Sequence, residues 1–212
     1  MSVMRIISLI SNSLLLINVI LFFFFLFHRG KEYKVFSFYL LGTFCIQLVT
    51  IVMARKGINN IYLSHLYFIF QFVSLSYFYF LLMKDKVQKK LVIVGAILVL
   101  ASLTVQYMLD FQEIFYRFNL FEVFLTSMFL VVFAVLHYYN MLSNSKKLMF
   151  INTGVLVYLM ISSLLFIAGN FLINKSADIT KWIWIINAGM YLIYQLLIFI
   201  EWKHTYPNRN LQ

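Results

Sequence analysis

Charge is scarce in this sequence. Of its 212 residues only 11% are Asp, Glu, Lys or Arg, against about 25% in a water-soluble domain. Proline is nearly missing. The one proline, Pro207, lies in the C-terminal tail, so no apolar stretch carries a ring that removes a backbone N–H. Glycine is sparse and mostly single, at positions such as Gly42, Gly95, Gly154, Gly169 and Gly189. That excludes a glycine-rich phosphate cradle. It also weighs against transport, because many transporters build their sites from helices broken at Gly or Pro. The single cysteine, Cys45, excludes an intramolecular disulfide, and its expected role is a small packing residue. The four histidines are dispersed, with no His-Glu-x-x-His or paired-Cys spacing, so no zinc site is expected.

What is present is apolar: 63% of the residues are hydrophobic. They fall into seven long stretches, Ile6 to Phe27, Val35 to Met53, Ile61 to Met83, Leu91 to Met108, Phe115 to Tyr139, Leu148 to Ile173, and Trp182 to Ile200. A bilayer-crossing helix needs roughly 20 mostly apolar residues. Barrel strands would alternate apolar and polar residues over ~10 positions, and these stretches do not. In lipid a helix satisfies its own backbone. The expected fold is an all-α membrane protein, a bundle of seven transmembrane helices forming one domain over residues 1–212. The first stretch is too long for a signal-peptide core and lacks a small-residue cleavage pattern, so it is read as a retained helix. Loops of a few residues, such as Lys84 to Lys90 and Asp110 to Ile114, make sequential helices antiparallel neighbours.

The net charge is +10. In a soluble protein that would suggest nucleic acid, but here the bases sit in the loops, and the expected surroundings are the lipid bilayer. One side collects Arg29, Lys31, Lys34, Lys84, Lys86, Lys89, Lys90, Lys146, Lys147, Lys203 and Arg209; the other holds Arg5, Arg55, Lys56, Arg117, Lys175 and Lys181. The richer side is expected in the cytoplasm. That puts the N-terminus outside and the C-terminus in the cytoplasm. Trp182, Trp184, Trp202, Tyr138 and Tyr139 stand at stretch ends, where amphipathic rings prefer the headgroup level. The run Phe22 to Phe25 is read as lipid-facing bulk. Glu113 and Arg117 are spaced for an i, i+4 pair, and Asn174 to Lys181 is the longest outer loop, with Ser176, Asp178 or Thr180 available to start the last helix. Tyr67 and Gln71 are echoed by Tyr191 and Gln195, too little to define a duplication.

Polar residues inside the spans are costly and face the bundle interior. They are Asn18, Gln47, His65, Gln71, Glu122, His137, Asn152, Asn187 and Gln195. Counting ~1.5 Å per residue puts His65, Glu122 and Asn187 roughly 8–9 Å in from the outer surface, with Gln47 and Gln106 in the same half. Gln71 and Asn18 lie near the midplane. Helical spacing gathers Ser64, Tyr67, Gln71 and Ser74 on one face, with His65 at its edge. It does the same for Asn187, Tyr191, Tyr194 and Gln195. His28 and His137 sit near the inner ends. The candidate ligand-binding residues are therefore His65, Glu122, Asn187, Gln71, Gln47 and Tyr191. The bland alternative is interhelical glue, worth roughly 0.6–2 kcal/mol per hydrogen bond. It suits the neutral residues better than the carboxylate of Glu122.

Retinal chemistry is excluded, since Lys181 and Lys203 only flank the last stretch. Serines in the spans have no evident His and Asp partners, so no catalytic residue, metal or cofactor is assigned. Outside N-terminus, seven unbroken helices, short loops and an outer polar cluster together resemble the compact seven-helix sensory regions that precede bacterial histidine kinases. The resemblance implies a receptor-like protein of the bacterial inner membrane. The sequence ends shortly after Trp202 without an output domain, so signalling is expected to pass through a separate membrane or cytoplasmic partner. An accessory subunit of a membrane complex and a small-solute transporter are the alternatives. Reporter fusions test the topology. Fusions within Asp85 to Lys89 and at the C-terminus should both report cytoplasm, and a periplasmic signal from either overturns it.

Overall fold

The computed structural model describes residues 3–24, 26, 30–143, 147–172 and 177–205; within these it leaves undescribed the side chains of 110, 112–114, 143, 170–172 and 177–179. The described residues form seven helices: α1 (Val3–Phe24), α2 (Lys31–Arg55), α3 (Tyr62–Leu82), α4 (Lys86–Phe115), α5 (Leu120–Ser143), α6 (Met149–Leu172) and α7 (Ala177–Thr205). All seven are long and apolar enough to cross a membrane. This is a multi-pass membrane protein.

Six helices close a ring, each packed on the next in the order α1, α2, α3, α5, α6, α7 and back to α1; α4 stands outside it, against α3 and α5. The sequence of α4 explains its place. Its buried apolar residues are Val92, Val99 and Leu103, a narrow stripe, while Leu91, Val94, Leu98, Val105 and Leu109 are exposed. Gly95 lets α4 approach α5 closely. A Cβ there would meet Phe129 Cδ1 at 2.9 Å and Phe133 Cζ at 3.1 Å. Inside the ring, aromatic side chains fill the core. Phe36 meets Phe22 at 5.6 Å and Phe78 at 5.3 Å between ring centroids.

Helix ends are fixed by local chemistry. α2 stops at Gly57, whose φ of +69° only glycine adopts without strain. Gly57 N–H donates to Ala54 O, and Ile58 N–H donates to Met53 O at 3.0 Å, the two bonds of a Schellman motif. Asn60 Nδ2 then donates to Thr50 O at 3.1 Å and ties the start of α3 to the last turns of α2.

α6 begins less conventionally. The residue before it is Leu148, which has no side-chain acceptor to cap the helix and holds φ at +58°. A left-handed non-glycine residue costs on the order of 1–3 kcal/mol and needs its surroundings to hold it. Leu148 is buried. Its neighbour Lys147 pairs with Glu32 of α2 at 2.5 Å, and Lys147 O lies 3.1 Å from His137 Nε2 of α5. The missing cap comes from α7. Glu201, itself buried, accepts the N–H of Phe150 at 2.8 Å and of Ile151 at 3.4 Å through Oε2. A carboxylate is favoured there by the unpaired N–H groups and the dipole of a helix start.

Several sequence expectations change. α4 runs on to Phe115 and α5 starts at Leu120, not Phe115. The turn falls where Asn119 can cap a new helix. Phe22 is wholly buried, because α1 turns it toward Phe36, while Phe24 is 78% exposed. Cys45 is exposed on α2 and does not pack in the core. His137, near the end of its stretch, is buried within the bundle. α7 starts at Ala177, within the segment expected as the outer loop. His28, the side chain of Glu113 and residues 173–176 lie outside the described residues.

Glu201→Ala should destabilise the protein by about 2 kcal/mol, the loss of hydrogen bonds to a charged acceptor. Glu201→Gln, whose amide oxygen still accepts, should lose clearly less. Unfolding titrations in mixed detergent micelles measure both; equal losses would count against the capping role.

Candidate functional site

Five of the six residues singled out above divide between two places, and Gln71 lies apart from both. His65 lies in the first turns of α3 and Glu122 in the first turn of α5. Their side chains meet, with His65 Nδ1 2.6 Å from Glu122 Oε2, and both are buried. Tyr107 of α4 donates its O–H to the same carboxylate oxygen at 3.0 Å. Three helices thus converge on one carboxylate. The other oxygen, Glu122 Oε1, has no hydrogen-bond partner among the described residues.

Local sequence sets this geometry. Asn119 stands just before α5 and its Oδ1 accepts the Glu122 N–H at 3.2 Å, the N-cap bond. Its Nδ2 donates to Gln106 Oε1 of α4 at 2.9 Å, which fixes the turn between the two helices. Asn at the cap with Glu three residues on is close to a capping box. Here, however, the Glu122 side chain reaches across to α3 and α4. The start of α5 is also where negative charge is favoured. Phe115 stacks along the His65 ring at 6.3 Å, Tyr62 stacks on Phe115 at 5.6 Å, and Tyr107 meets His65 edge-on at 5.9 Å. The pair is therefore walled by aromatic rings.

Gln47, Asn187 and Tyr191 lie elsewhere, around two cavities that share Gln47, Tyr67 and Trp184. The larger, about 370 Å³, is walled by Thr50, Asn60, Ser64, Phe68, Phe118 and Phe166 among others. The smaller, about 170 Å³, is lined by Ser8, Ser11 and Asn12 of α1 together with Tyr158, Asn187 and Tyr191. Among the described residues no charged side chain lines either cavity. Asn187 Oδ1 and Tyr191 O–H are buried without a hydrogen-bond partner among the described residues. Gln71 lies among tyrosines, donating to Tyr67 at 3.0 Å and to Tyr39 at 3.1 Å. Asn18 of α1 donates to Gln195 O at 2.9 Å and to Gln195 Oε1 at 3.0 Å.

Sequence reasoning missed Tyr107, Asn119 and Glu201. The Asn119-x-x-Glu122 spacing was a legible helix-start signal. Glu201 was a lone acid near the end of an apolar stretch, and Tyr107 carried no signal, since tyrosine is common here. Among the described residues no group of three His, Cys, Asp or Glu side chains could hold a metal ion. The chain matches no protein-family description, no curated protein and no solved structure.

Chemically, the pair can keep a proton between an imidazole and a carboxylate away from water. Removing one member strands the other. His65→Leu should destabilise by about 3–5 kcal/mol, because Glu122 is left as an uncompensated buried acid. The double variant His65→Leu, Glu122→Leu should recover most of that. A double-mutant cycle on detergent unfolding reads the coupling, and a value near zero would show that the two groups act independently.

Proposed function

We propose that this protein is a non-enzymatic, receptor-like component of the bacterial inner membrane. Its N-terminus lies outside, its C-terminus in the cytoplasm, and sequential helices run antiparallel. It binds a small ligand among α1, α2, α3, α6 and α7 and hands the change to a separate membrane or cytoplasmic protein. One observation carries the reading: α3 is a wall of both places described above. Ser64, Tyr67 and Phe68 line the larger cavity, and His65, between them in sequence, holds Glu122. A ligand seated against Tyr67 and Gln47 bears on the helix that positions the buried pair.

The lining suggests the ligand's chemistry. Aromatic walls with a few amide and hydroxyl groups suit a compact apolar body bearing hydrogen-bonding groups. The described lining residues carry no charge to offset the desolvation of a charged ligand, which favours a neutral one. Signalling needs two states with different affinity for it. The bond between His65 and Glu122 is made in this state, and a second state would be one that breaks it.

The accessory-subunit reading has its own support. Asn18 with Gln195, Tyr79 with Asn152 and Gln88 with Asn140 are cross-helix pairs that form without a ligand. Purification in mild detergent separates the two. The receptor reading expects a partner whose recovery differs severalfold between wild type and Gln47→Leu or Glu122→Gln at equal protein level. A partner recovered at constant stoichiometry from all three forms would overturn it in favour of the subunit.

A further inference from the structure

Outside the ring, α3 and α4 leave an apolar groove of about 330 Å³, lined by Phe72, Ser76 and Phe80 of α3 and by Val92, Ala96 and Leu100 of α4 among others. Phe72 to Phe80 and Val92 to Leu100 each span eight residue steps, roughly 12 Å. That is close to one leaflet of a hydrocarbon core ~30 Å thick. The groove is apolar along its length and belongs to the face that α4 leaves uncovered.

One end of the groove is strongly basic. Lys84, Lys86, Lys89 and Lys90 fall within the turn and first residues of α4, with Asp85 the one acid among them. Lys84, Lys86 and Lys90 are exposed. Lys89 Nζ lies 5.5 Å from the centre of the Phe80 ring, so a cation sits directly over the groove's mouth. Ser76 is one turn below Phe80, roughly 6 Å deeper. Its hydroxyl is 4% exposed for the residue and has no hydrogen-bond partner among the described residues. The polar layer over each face of the hydrocarbon is itself about 5–8 Å thick. A hydroxyl at that depth meets the ester oxygens of a glycerophospholipid whose phosphate rests on the lysines.

We propose that this groove is a binding site for one anionic phospholipid, with the phosphate on Lys86, Lys89 and Lys90, an ester oxygen accepting from Ser76, and an acyl chain between α3 and α4. The charge selects the headgroup and the groove supplies the residence. Neither alone makes a site: surface lysines attract any anionic lipid loosely, and a bare groove accepts any chain. The site is independent of the ligand reading above, since it shares no residue with the cavities around Gln47.

Native mass spectrometry of the full chain in detergent tests this, with phosphatidylglycerol and phosphatidylcholine of identical chains supplied at equal concentration. The wild type should retain one phosphatidylglycerol with a preference of roughly tenfold or more, as expected from several lysines near one phosphate. The triple variant Lys86→Gln, Lys89→Gln, Lys90→Gln should retain the two lipids equally. Ala96→Phe, which fills the groove, should lose phosphatidylglycerol while keeping its lysines. Dihexanoyl phosphatidylglycerol, tested on the wild type and so free of any folding defect, should bind at least about tenfold more weakly than the long-chain lipid. Equal retention of the two lipids by the wild type, unchanged selectivity in the triple variant, or equal binding of the short-chain lipid would each overturn the site. A wild-type dimer that Ala96→Phe abolishes would assign the groove to a second copy of this chain and overturn it as well.

Discussion

Hydrocarbon offers no hydrogen bonds, so a polar group placed within it gains most from a partner in the protein. The helix neighbours in this bundle follow from that constraint. Asn18 joins α1 to α7 through Gln195, Gln71 joins α3 to α2 through Tyr39, and Tyr79 joins α3 to α6 through Asn152. Asn152 also donates to Ala134 O of α5 at 3.1 Å. Gln88 and Asn140 bind α4 to α5 by reciprocal amide bonds at 2.7 and 3.0 Å. Apolar packing is nearly the same whether a helix faces lipid or another helix, so it selects neighbours weakly; these bonds, each worth roughly 0.6–2 kcal/mol, select them strongly.

The same constraint accounts for the difference between the two ends of the bundle. Where α6 begins, Glu201 caps it, Lys147 pairs with Glu32, and Tyr138 is hydrogen-bonded to Thr153. α7, α2 and α5 are thereby tied to one short segment. Around Gln47 residues of α1, α2, α3, α6 and α7 enclose cavities, and Asn187 Oδ1 and Tyr191 O–H have no hydrogen-bond partner among the described residues. One end is tied by several side-chain pairs, although His137 Nδ1 there has no hydrogen-bond partner among the described residues, and the other end encloses the two cavities. A receptor-like role uses such an asymmetry, since a ligand gains most where the protein has not already satisfied itself.

α3 is the most polar of the membrane-crossing helices by hydropathy, and it is the one with work on several sides. Its His65 faces α4 and α5, its Tyr67 faces the cavities, and its Phe80 lies at the lysine end of the outer groove. α4 touches only α3 and α5 at length, so it is held chiefly by Gly95, the Gln88 and Gln106 amides and Tyr107. A helix outside the ring with so few ties is widely open to lipid, and it is also the one that delivers a hydroxyl to Glu122.

Sequence by itself determined the solvent and the number of crossings, because hydropathy is a property summed along the chain. Depth counted from an expected helix start was less secure: Glu122 lies in the first turn of α5, which begins at Leu120 and not at Phe115. Sequence also showed which side of α3 and α7 carries Tyr67, Gln71, Asn187 and Gln195, since spacing fixes relative position on a helix. It did not show that Phe22 turns inward or Cys45 outward, because a helix apolar all round has no preferred face. Only the tertiary structure decided that His65 meets Glu122 and Tyr107 while Gln47, Asn187 and Tyr191 surround separate cavities. Residues at equal depth on different helices are brought together or kept apart by helix order and rotation. Those are set by which cross-helix pairs can form at once, and a linear pattern does not carry that information.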